Sequence, residues 1–168
     1  MPDSDNNQTH LPTADQLWQF SLTFYPSVKA QCLKLQDTLG ANVNMLMLLC
    51  LLEQRQLAIT TAQLQQLHLQ LTPFSERFTQ PLRELRKQTV QANLPPEQQL
   101  QLKQALLGAE LQLEQLEQHL ILQYCPAPFA ANTGLLEHYL ALLGNSCGEP
   151  SVIVDLRQAL AACPPSSV

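Results

Sequence analysis

Met45-Leu46-Met47-Leu48-Leu49-Cys50-Leu51-Leu52 is an unbroken apolar run. A helix that is apolar all round is buried all round. A buried strand is the competing reading, but the run holds no β-branched residue. It falls well short of the roughly 20 apolar residues of a membrane span, and Glu53 and Arg55 close it. The run predicts a buried central helix over about 43–57, around which the rest of the chain packs.

Upstream, Thr13-Ala14-Asp15-Gln16 fits a capping box, in which hydroxyl and amide side chains satisfy each other's backbone N–H groups. Leu17, Phe20, Ser21 and Phe24 then share one face. Proline disfavours the helical region in the residue before it, so Pro26 is expected to end this helix, with Ser27 capping a second. Val28, Cys32, Leu35 and Leu39 are spaced for that second helix, and Gly40 suits the left-handed position after a helix end. Asn42 or Asn44 is expected to cap the central helix.

Downstream, Thr60 or Thr61 can cap a short helix to about Leu69. Thr72-Pro73 reads as the start of another, with a kink or break at Pro81. The longest helix spans about 96–124. Its heptad leucines Leu106, Leu113 and Leu120, with Leu102, Ala109 and Leu116 beside them, predict a seam against a near-parallel neighbour. Two further helices follow, over 135–143 and 150–162. The expectation is an all-α, single-domain bundle of about seven to eight helices over residues 12–163, with disordered tails at 1–11 and 164–168.

Composition bounds the function. Charged residues make up 14% and the net charge is −5, which argues against nucleic acid and against anionic membranes. Met1–His10 lacks the basic and apolar regions of a signal peptide, so the expected location is the cytoplasm. Five cysteines, Cys32, Cys50, Cys125, Cys147 and Cys163, show no CxxC spacing and read as reduced thiols. The four histidines are isolated, and neither a catalytic set nor a metal motif stands out. No cofactor is expected.

Three polar groupings remain. The Gln36–Asn44 turn brings Gln36, Asp37, Asn42 and Asn44 toward the most apolar helix, where unpaired polar groups are costly. Arg83 and Arg86 lie three apart on one helical face and suit a carboxylate or an anionic ligand. Asp37, at the unfavourable end of a helix dipole, is expected to pair with Arg83 or Arg86 near Asn44. Glu110, Glu114 and Glu117 read as a solvated acidic face.

Leu17-Trp18-Gln19-Phe20-Ser21-Leu22 through Tyr25, Cys32-Leu33-Lys34-Leu35-Gln36-Asp37, Gly40, Val43-Asn44 with the leucine run, and Pro81–Arg86 form a pattern. It resembles an uncharacterised proteobacterial family, the domain of unknown function 2390, over roughly Leu17 to Leu122. The resemblance implies a small helical protein and no established reaction.

Two functions follow as expectations. One is a non-catalytic adaptor or regulator that binds a protein partner. The alternative is a binder of a small anionic molecule, or an enzyme, with its pocket between the Gln36–Asn44 turn and Arg83/Arg86. Oligomeric state is not legible in the sequence.

Overall fold

The computed structural model describes residues 9–144 and 150–165. The expected tails fall largely on residues 1–8 and 166–168, outside the described residues, as does Cys147. The described chain is mostly helical, with one two-residue antiparallel ladder, Leu57–Ala58 (β1) against Phe129–Ala130 (β2).

Helix α1 runs from Ala14 to Leu39 without interruption. Pro26 therefore does not end it, and Ser27 caps no new helix. The reason is a continuous buried stripe on both sides of the proline: Leu17, Phe20, Ser21, Phe24, Val28, Cys32 and Leu35. Pro26 and Leu22 are exposed, so the carbonyl that the proline leaves unpaired faces away from the core. Ser27 Oγ donates instead to the Phe24 carbonyl at 2.7 Å. The Thr13–Gln16 capping box starts α1, and Gly40, at φ 69°, ends it.

Helix α2, Val43–Gln54, is buried from Asn44 to Leu52. Its apolar residues there are at most 1% exposed. It ends three residues before the expected limit, because Gln56 takes φ 55° and the chain turns into β1. The Asn42 side chain caps it, accepting from Met45 N at 2.9 Å. The Asn42 backbone N–H donates to the hydroxyl of buried Tyr139 at 3.0 Å.

Thr60 and Gln63 form a second capping box at the start of α3, Thr61–Phe74. Pro73 lies inside this helix rather than opening a new one. Thr72 Oγ1 bonds back to the His68 carbonyl at 2.8 Å, and Leu64, Leu67 and Leu71 keep the helix seated. A π-helical turn over Ser75–Thr79 joins α3 to α4, Gln80–Lys87. The irregularity expected at Pro81 takes the form of this widened turn. Pro81 falls in the first turn of α4, where a missing N–H costs little.

Helix α5, Pro96–Tyr124, packs on α1, α2, α3 and α4. The expected leucine seam is not its buried face. Leu102 and Leu116 are exposed and Leu106, Leu113 and Leu120 are only partly buried, whereas Glu110, Glu117, Gln118 and Ile121 are buried. Hydrogen bonds and ion pairs, rather than heptad leucines, fix its position. Helices α6, Leu135–Leu142, and α7, Pro150–Ala162, close the other side. Arg157 bridges Glu53 and Glu137 there, tying α7 to α2 and α6.

Candidate binding cavity

Burying an amide or a carboxylate is tolerable only when its hydrogen bonds are replaced. The junction of α1, α2 and α5 does this with a polar chain through the core. Both Glu117 oxygens accept, from Asn42 Nδ2 and Asn44 Nδ2, each at 2.8 Å. Gln118 Nε2 donates to Asn44 Oδ1 at 3.0 Å and to Ser21 Oγ at 2.9 Å. Ser21 Oγ in turn donates to the Leu17 carbonyl at 2.8 Å. Glu117, Gln118, Asn44 and Ser21 are all buried.

Two turns towards the N-terminus of α5, Glu110 is also buried and gathers both arginines of α4. Arg83 Nε donates to Glu110 Oε1 at 3.1 Å, and Arg83 Nη2 to Glu114 Oε1 at 3.2 Å. Arg86 bonds to the other Glu110 oxygen through Nε. This hydrogen bond holds the Arg86 guanidinium above its usual range. Burial pushes the Glu114 carboxyl up from its ordinary value, and Arg83 opposes that shift.

Between these groups lies a cavity of about 410 Å³. Helix α1 contributes Trp18, Ser21, Tyr25 and Lys29, with Leu22 and Leu33. Val43, Asn44 and Met47 come from α2 and Arg83, Arg86 and Lys87 from α4. Leu107, Leu111, Glu110, Glu114 and Gln118 complete the wall from α5. Burial raises the Tyr25 phenol above its ordinary value, and nearby Glu114 adds to the shift. A second hollow of about 390 Å³ lies between α1 and residues 163–165. It is lined by Asp15 and no basic side chain.

Of the sequence-predicted site residues, Gln36, Asn44, Arg83 and Arg86 line the cavity. Asn42 stands behind it in the Glu117 network. Asp37 is exposed on α1, and Arg83 and Arg86 are engaged by Glu110 and Glu114 instead. A carboxylate at a helix end needs no guanidinium when water solvates it. The acidic residues of α5 likewise form no solvated face: Glu110 and Glu117 are 4% and 1% exposed.

Sequence reasoning missed Ser21, Tyr25, Glu117 and Gln118. The available signal was Ser21 in an otherwise apolar stripe, together with carboxylates and an amide recurring at helical spacing between the α5 leucines. Chemically, the set offers an apolar and aromatic wall, guanidinium donors, a carboxyl of raised affinity for protons and two buried amides, Asn44 and Gln118. Such a set has the chemistry to orient a small ligand. Among the described residues, no group of His, Cys, Asp and Glu suits a metal ion, and no helix is long and apolar enough to cross a membrane.

A family described as Protein of unknown function (DUF2390) matches residues 16–121. The matched span contains every residue that lines the cavity, from Trp18 to Gln118. No curated protein and no solved structure matches the chain.

Proposed function

The chain belongs to the DUF2390 family, which carries no assigned reaction, and we propose that it is a binding protein for a small anionic organic molecule held in the α1/α2/α4/α5 cavity. The observation that carries this reading is the make-up of the wall. Ligand sites of roughly 300–1,000 Å³ are mostly apolar, with a few convergent polar groups, and this cavity has that character. Its basic side chains, Lys29, Arg83, Arg86 and Lys87, outnumber its acidic ones, Glu110 and Glu114. Glu110 and Glu114 engage the arginines, and Lys87 pairs with Glu84 only at an exposed site, where such pairs are weak. The excess positive charge therefore sits at Lys29 and Lys87, on the rim.

The test is a melting screen against small carboxylates and phosphates with aromatic or aliphatic bodies, read alongside the fluorescence of Trp18. Trp18 is the chain's single tryptophan and lies in the wall. A ligand at 100 times its Kd adds about 2.7 kcal/mol, or roughly 5–11 °C for a domain of this size. The reading expects a compound that raises the melting temperature and changes Trp18 emission, with both effects weakened by Lys29→Glu. A panel that moves neither quantity counts against it.

A second reading, the protein-binding adaptor, draws on a separate observation. Leu85, Leu100, Leu102 and Leu116 are exposed on α4 and α5. It expects crosslinks from a co-purified protein in native cells to fall on those helices, and Leu100→Glu with Leu116→Glu to abolish them. Crosslinks confined to other faces would discard it.

A further inference from the structure

Along α5, Leu102, Leu106, Ala109, Leu113, Leu116 and Leu120 recur at alternating intervals of four and three residues. Such a repeat keeps one stripe of a helix turned toward a second helix over its whole length. Among the described residues the stripe finds no helix that covers it. Leu102 and Leu116 are 38% and 53% exposed, and Leu106, Ala109 and Leu113 are only partly buried.

Two properties point to the occupant. The first is symmetry about Ala109. Leu102 and Leu116 lie seven residues on either side of it, and Ala105 and Leu113 lie four. A second α5 laid antiparallel across Ala109 places Leu102 against Leu116 of the second copy. It also seats Leu113 over the small Ala105, large against small as close packing requires. Laid parallel, each residue would meet its own kind, and Ala105 and Ala109 would face a void. Antiparallel helices also set opposite dipole ends side by side. The second property is charge. The chain carries a net charge of −5, yet the stripe and its exposed outer edge, Gln98, Ala105 and Gln112, hold no charged side chain. The carboxylates of α5 at 110 and 117 turn inward, to Arg83 and Arg86 and to Asn42 and Asn44. Copy can therefore meet copy without like charges facing each other.

We infer that α5 is a dimer interface, pairing antiparallel with α5 of a second copy about a two-fold axis through Ala109. Leu107 and Leu111, which line the cavity, each lie two residues from Ala109, about 200° round the helix. The cavity therefore opens on another side of α5, and the dimer is independent of what the cavity binds. The stripe from Leu102 to Leu116 spans about 21 Å of helix. That is too short a contact for the roughly 800 Å² per partner of a standard interface, so the dimer is of the weak, concentration-dependent kind.

Sedimentation equilibrium of the full chain, from micromolar to submillimolar protein, should show monomer and dimer in exchange. Leu116→Glu should raise the dissociation constant at least about tenfold, since the two-fold axis buries the new charge twice. Val154→Glu, at an exposed site on α7, should leave it within about twofold. Orientation is read with a short bismaleimide in a Cys147→Ser/Cys163→Ser background. Chains carrying Leu102→Cys and Leu116→Cys should crosslink when mixed and not singly, because each site lies about 21 Å from its own counterpart. A native chain that stays monomeric throughout overturns the inference and leaves the cavity and adaptor readings untouched. A dimer that Leu116→Glu leaves intact, or that Val154→Glu dissociates as fully, also overturns it. Leu102→Cys chains that crosslink to one another as readily as to Leu116→Cys chains overturn the two-fold register.

Discussion

Replacing Glu117 by leucine is the sharpest probe of the polar core. Leucine approximates the volume of glutamate, so packing is largely kept and the perturbation falls on hydrogen bonding. Two donors lose their acceptor, Asn42 Nδ2 and Asn44 Nδ2, each bonded at 2.8 Å. A buried group left unpaired costs about 1–3 kcal/mol, giving roughly 2–6 kcal/mol for two. Asn42 Nδ2 retains a marginal contact with Ser75 Oγ at 3.5 Å, which places the expected loss towards the lower half, about 2–4 kcal/mol. At roughly 2–4 °C per kcal/mol for a chain of this length, the melting temperature should fall by roughly 4–16 °C in calorimetry. Adding Asn44→Leu removes one stranded donor, so the double variant should lose less than the sum of the two single losses. Gln118 Nε2 still has Ser21 Oγ in that background. A single variant that melts at or above the native temperature, or strictly additive losses, would refute the argument that this chain of bonds offsets its own burial.

Leu49→Ala, at a site with 0% exposure in α2, should cost about 2–5 kcal/mol, against well under 1 kcal/mol for exposed Leu69→Ala, by urea unfolding. Burial holds the His68 imidazole below its ordinary 6.5. A depressed folded value means the unfolded chain binds the proton more readily, so this stabilisation is complete above 6.5 and is lost as pH falls through the folded value. His68→Gln should therefore flatten the decline in melting temperature between pH 7.5 and 5.5; an identical decline in both proteins counts against that placement. Burial pushes the Cys32 and Cys125 thiols up to about 12. Both should stay unalkylated by iodoacetamide at pH 8 in the folded protein, as read by peptide mass mapping, and react once urea unfolds it.

Much of the helical architecture is legible in local signals. The two Thr/Gln capping boxes, the Gly40 stop, the apolar run of α2 and the extent of α5 follow from short-range chemistry. The main departures in helix bounds lie at the prolines. At Pro26 tertiary burial overrides local propensity, because the buried stripe of α1 continues past the proline through Val28, Cys32 and Leu35; Pro73 lies one residue before the end of α3, after the buried leucines Leu64, Leu67 and Leu71 that seat the helix. The two-residue strands β1 and β2 leave no signal in the sequence, since a two-residue ladder has no period of its own. The site was half legible. Gln36, Asn44, Arg83 and Arg86 announced themselves as polar groups placed near apolar helices. Their partners did not, because Glu110, Glu114 and Glu117 carry the i, i+4, i+7 spacing of a solvated face. Only the packing of α5 on α1, α2 and α4 distinguishes a carboxylate that meets water from one that meets arginine or asparagine.

We propose above that the α1/α2/α4/α5 cavity takes up a small molecule. A methyl-detected NMR titration with indole-3-propionate tests it at the level of individual walls. Binding in the cavity should shift chiefly the methyl groups of Val43, Met47, Leu107 and Leu111, which line it. Leu67, in the core under α3, and the exposed leucines Leu100 and Leu116 should hold still. Shifts confined to Leu100 and Leu116, or no shift at any methyl at millimolar probe, would contradict it.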